Sequence, residues 1–215
     1  MFSQLKSVVD LMCSGITGLS KFQSNRKRKE IILNILEVYF FLKDCVDDGE
    51  RLITEAGKDP LGKINSMESN EAIRVLAVWD EILRKQGIRL YAVQGYIFGQ
   101  DHLAIINPKL QEQIGEVVGY KMDRTITLHR IGAALSLWNM FPRENTKEKK
   151  TRLVALMAGV DAGGLLDIDK ITSELADLRK SLDEYRTLLE RFVSDEELLS
   201  LSKRAREKTR IKGIS

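Results

Sequence analysis

The sequence predicts an all-α protein, a bundle of about six or seven helices of which several are long. Three observations carry this reading. Only three prolines occur in 215 residues, at 60, 108 and 142, so long stretches are free of the residue that breaks helix interiors. Apolar residues recur at steps of three and four along most of the chain, the spacing of one helical face. From residue 168 to 192 that spacing is unbroken: Ile168, Ile171, Leu175, Leu178, Leu182, Tyr185, Leu189 and Phe192 form an a/d heptad stripe.

Residues 3–22 set Leu5, Val8, Val9, Met12, Ile16 and Leu19 on one face, with serines opposite. A second segment runs from about 26 to 57, starting after Ser24-Asn25 and ending near Gly57 and Pro60. Ten of the twelve residues from Ile31 to Leu42 are apolar, interrupted only by Asn34 and Glu37. Ile31, Ile35, Val38, Leu42 and Cys45 make one row, and Leu33, Leu36 and Phe40 another, so this helix is expected at the centre of the bundle. Residues 58–67 (KDPLGKINSM) read as a loop.

A third helix begins after Ser69 or Asn70. Leu76, Trp79, Leu83, Gln86, Leu90, Val93 and Ile97 give it a seam with one polar position and carry it to about Phe98. A small hairpin around Gly99-Gln100-Asp101 is the alternative for residues 88–106. Asn107 and Pro108 suit the cap and first turn of a fourth helix that extends to about 141. Thr146 is placed to cap a shorter fifth helix, up to Gly159. The heptad-patterned sixth follows, with Asp167 and Asp169 at its start, and Ser194 or Asp195 caps the seventh. The expected organisation is a helical bundle over 1–160, then the heptad-patterned helix and a short helix over 161–202, packing on the bundle or on a partner. A basic, partly disordered tail is expected over 203–215.

The composition and motifs exclude much chemistry. With 43% hydrophobic and 30% charged residues the chain suits a globular domain with its own core. No stretch approaches the roughly 18 consecutive apolar residues of a membrane span. Cys13 and Cys45 form neither a disulfide framework nor a metal spacing, and the cytoplasm is the expected compartment. The phosphate loop, the dinucleotide-binding glycines, HExxH, CxxC and the GxSxG elbow are all missing. No cofactor and no metal are expected.

Three groups remain as candidate sites. Arg124-x4-His129, in "MDRTITLHRIG", resembles the RNase motif of the HEPN superfamily, which implies phosphate binding by the arginine and proton transfer by the histidine. His129 also shares a helical row with Val118, Met122, Ile126 and Ala133, and that row favours a core histidine hydrogen-bonded across the bundle. Asp44, Asp47, Asp48 and Glu50 are spaced to share a hard cation or to form a solvated face on the side of Asn34 and Glu37. The basic clusters are Arg26, Lys27, Arg28 and Lys29, residues 147–152, and the tail with Lys203, Arg204, Arg206, Lys208, Arg210 and Lys212. The stretch 203–212 alone carries +5, against a total of +3 for the chain. Such clusters suit phosphates or an acidic partner, although the aromatic interleaving of single-strand binders is missing.

The leading expectation is a non-enzymatic interaction protein, an adaptor, regulator or subunit of a larger complex. It would associate with itself or with another protein through the stripe Ile168–Phe192. A metal-independent RNase using Arg124 and His129 is the first alternative, and non-specific nucleic-acid contact through the basic clusters is the second.

Overall fold

The computed structural model describes residues 6, 9, 10, 12, 13, 25–98, 145–162 and 167–210. Among these it contains six helices and no strand: α1 (Asn25–Ala56), α2 (Pro60–Ser66), α3 (Ser69–Phe98), α4 (Thr146–Ala162), α5 (Ile168–Leu189) and α6 (Asp195–Thr209). Residues 6, 9, 10, 12 and 13 are also helical, and Val9 and Met12 are buried in the main core. The segments expected at 99–106 and 108–141 lie outside the described residues. The all-α bundle is what the periodicity predicts.

Helix α1 is the axis. Its 32 residues extend for about 48 Å at 1.5 Å per residue, and it packs against α3, α5 and α6. Its rows leave no apolar side uncovered: Ile31, Ile32, Leu33, Ile35, Leu36, Val38, Phe41, Leu42, Cys45 and Val46 are all buried. A helix with apolar rows on several sides is stable only when enclosed, and three helices enclose this one. Helices α3 and α5 run against α1, since Gln86 reaches Cys45 and Tyr185 reaches Ile35, whereas Arg179 reaches Glu50. Helix α6 runs alongside it in the same direction, with Glu197 near Lys29 and Lys208 near Glu37.

The heptad stripe of α5 is used inside the chain. Leu175, Leu178, Leu182, Tyr185 and Leu189 are buried in the main core, with Ile171 and Phe192 packed against it. Tyr185 stacks on Tyr39 at 6.0 Å and its hydroxyl donates to the carbonyl of Ile35 at 3.1 Å. An a/d stripe reports that a helix has a packing partner, not whether that partner lies in the same chain.

Local sequence explains the helix ends. Gly57 closes α1 at φ +74°, a left-handed position that favours glycine, and its N–H donates to the Ile53 carbonyl. The 58–67 loop is corrected to a short helix, α2. Asp59 caps it by accepting from the Gly62 N–H at 2.8 Å, and Pro60 takes the first helical turn. A Cβ on Gly62 would stand 2.0 Å from the Asp59 carboxylate, so a larger residue there would require the Asp59 side chain to shift. Asn145 rather than Thr146 caps α4, accepting from the Glu148 N–H. Asp167 caps α5 and Ser194 caps α6. Gly87 does not interrupt α3, and Gln86, the polar member of its seam, donates to the buried Cys45 carbonyl at 2.9 Å. A smaller core joins Ala56, Ile64, Ala72, Leu76 and Trp79, with Val154 of α4 against it.

Truncating Leu178, which has no exposed surface, to alanine is expected to cost about 2–5 kcal/mol in urea unfolding with an unchanged m-value. Both cysteines are free. Burial, with Asp10 and Glu184 nearby, pushes the Cys13 thiol up to about 11, and Cys45 is 1% exposed. Because the thiolate is the nucleophile, a thiol-specific reagent at neutral pH should label neither cysteine in folded protein and both in denaturant.

Candidate functional site

The acidic set on α1 has two nearly enclosed carboxylates, Asp44 and Asp48, and two half-exposed ones, Asp47 and Glu50. Its four carboxylates meet arginines from three other helices. Arg206 of α6 donates through Nη1 to both oxygens of Asp44 at 2.8 Å, and its guanidinium lies 5.3 Å from the centre of the Phe40 ring. Arg89 of α3 pairs with Asp48 and comes within 3.6 Å of Asp44. Arg179 of α5 grips Glu50 through Nε and Nη2 at 2.7 and 2.6 Å and reaches Asp47 at 3.0 Å. The side chains of Asp44 and Asp48 are only 12% and 16% exposed, so both depend on these partners. Among the described residues no three metal-ligating side chains cluster.

Glu37 is fully buried, although its polar neighbours place it on a wet face by sequence pattern. Lys208 of α6 answers it, with Nζ 2.7 Å from Oε1. The signal was present in the sequence: one carboxylate inside a run otherwise almost wholly apolar demands a cation from elsewhere in the chain.

These pairings alter the expected tail. From residue 203 the chain continues as α6 to Thr209, with Leu201, Ala205 and Thr209 buried and Arg210 at the C-cap. Lys212 lies outside the described residues. Because α6 runs beside α1, the N-terminal cluster and the C-terminal basic residues converge. Arg26, Lys29, Glu30, Leu33 and Asn34 of α1, with Arg204 and Lys208 of α6, line an open cleft of about 540 Å³. Lys29 is shared with Glu197, and Lys208 with Glu37. Arg26 and Arg204 are exposed and have no partner among the described residues. Lys27 and Arg28 share the first turn of α1, Lys203 is exposed on α6, and Arg206 is committed to Asp44.

The stretch 147–152 lies on α4, where Lys150 donates to the carbonyls of Asn65 and Met67 at the end of α2. Of the residues offered as an interface, Leu175, Leu178, Leu182, Tyr185 and Leu189 are buried within the chain, and Ile168, Ile171 and Phe192 are partly buried. Arg124 and His129 lie outside the described residues. No described helix is long and apolar enough to cross a membrane. No family model, no curated protein and no solved structure matches this chain.

The ion pairs have a pH signature. Partial enclosure raises the Asp47 carboxyl, but hydrogen bonds from Lys43 and Arg179 outweigh it and hold the group below its ordinary value. A depressed carboxyl contributes stability that is complete above its unfolded value, about 4, and is lost as pH falls through the lower folded value. The melting temperature of Arg179→Met should therefore lie below that of the wild type at pH 7, and the gap should narrow as pH is taken below about 3.

Proposed function

We propose that this chain is a non-enzymatic helical interaction protein, an adaptor, regulator or subunit of a larger complex, whose contact surface is the basic face where α1 meets α6. The observation that supports it most is the convergence of two cationic clusters about 180 residues apart onto one open cleft. The acidic face of α1, by contrast, is neutralised internally. Among the described residues most of the heptad stripe packs within the chain, while the basic face stays open to an anionic partner.

The test is the molar mass of protein purified from its native host at low salt, measured by light scattering with absorbance at 260 and 280 nm. A mass well above the 24.4 kDa monomer, falling to the monomer with added salt, is expected. The double variant Arg26→Glu/Arg204→Glu should elute as monomer with unchanged helix content. A wild-type monomer at low salt, or a complex indifferent to the double variant, sinks the proposal. A complex rich in 260 nm absorbance identifies the partner as nucleic acid.

A further inference from the structure

We infer that α6 is a charge-latched strap: it opens from α1 as a unit, hinged at Ser194, while the rest of the core stays folded, and the Lys208–Glu37 pair sets how often. Among the described residues α6 packs mainly on α1, whereas α1 also holds α3 and α5. Opening α6 therefore leaves two of the three enclosing helices in place. The hinge is anchored, since Leu189 and Val193 are buried in the main core and Ser194 starts α6 as its N-cap.

The apolar hold on α6 is slight. Leu198, Leu199, Leu201 and Ala205 are its only apolar residues, and of these Leu201 and Ala205 alone are buried, while Leu199 is exposed. Helix α5, by comparison, buries Leu175, Leu178, Leu182, Tyr185 and Leu189. Charge makes up the difference in α6: Glu197 meets Lys29, Arg206 meets Asp44 and Lys208 meets Glu37. Such pairs net little, because closing takes the carboxylates out of water and opening returns them. An element held this way lies at the low end of local unfolding free energies.

The two enclosed joints differ. Asp44 keeps Arg89 of α3, 3.6 Å away, when α6 leaves. Glu37 is fully buried, its cation is Lys208, and no hydrogen bond from elsewhere supports either of its oxygens. Removing the Lys208 ammonium strands an enclosed carboxylate, and lifting α6 admits the water that relieves it.

Leu33, Glu37, Phe40 and Asp44 stand at steps of four, three and four, on one face of α1. Helix α6 meets that face through its ion pairs to Glu37 and Asp44, the Arg206 guanidinium over Phe40, and the cleft beside Leu33. Opening uncovers this acidic and apolar row and dismantles the basic cleft, whose lining needs both helices. The strap is thus a switch for the contact surface proposed above, and in that respect alone it rests on that reading.

The test is native-state hydrogen exchange of the full chain, read by mass spectrometry on peptides from α6 and from α5. In the wild type the α6 amides are expected to exchange at least about tenfold faster than those of α5. In Lys208→Met, α6 should exchange about tenfold faster again, with α5 unchanged within about twofold. Adding Glu37→Met to Lys208→Met should restore protection of α6, because no carboxylate is then stranded. Lys203→Met, the same charge change on an exposed residue of the same helix, should leave α6 within about twofold. Equal exchange of α6 and α5 in the wild type overturns the strap, as does their joint loss of protection in Lys208→Met. So does an unresponsive α6 in that variant, an equal response in Lys203→Met, or no recovery in the double variant. Exchange is read on the chain alone, so its outcome is independent of whether Arg26→Glu/Arg204→Glu dissolves a partner complex.

Discussion

The architecture depends on enclosing a helix that is apolar on several sides yet carries carboxylates along part of its length. Burying Ile31 to Val46 of α1 draws in three helices, and the same enclosure takes water from Glu37, Asp44 and Asp48. A carboxylate moved out of water costs several kcal/mol unless a cation comes with it. Helices α3 and α6 bring one at the level where such a carboxylate sits, Arg89 on α3 and Arg206 and Lys208 on α6, while Arg179 of α5 meets the half-exposed Asp47 and Glu50. Apolar packing admits many rotations and slides of one helix on another. Only some of these bring every enclosed carboxylate level with a cation.

Much of this was legible in the sequence. The limits of α3, the unbroken stripe of α5 and the central position of α1 all follow from periodicity and capping residues, which act within a few positions. The helix at Pro60–Ser66 escaped because its lysines, glycine and asparagine resemble a loop. Its cap depends on a contact between Asp59 and Gly62 that composition does not weigh. Residues 203–209 look solvated in one dimension, yet Ala205 and Thr209 are small enough to let α6 lie close against α1.

What the sequence could not show is which distant residues meet. Glu37 and Lys208 are 171 positions apart, and nothing local to either names the other. The same holds for the cleft, whose lining joins the first turns of one helix to the last turns of another. Cationic clusters are common on protein surfaces and mostly solvated. Two of them become a candidate site only when the topology lays α6 beside α1.

The internal neutralisation of the acidic half of α1 has an electrical consequence. Among the described residues, negative charge near Asp44 to Glu50 is cancelled at close range, while positive charge near Arg26 and Arg204 stays open to solvent. Such a distribution has a long-range direction as well as a net sign. Within a Debye length, about 10 Å at 0.1 M salt, the field exerts a torque on an approaching anion and on the protein itself. Encounters in which that end leads are favoured before any contact forms, and the bias fades as ionic strength rises.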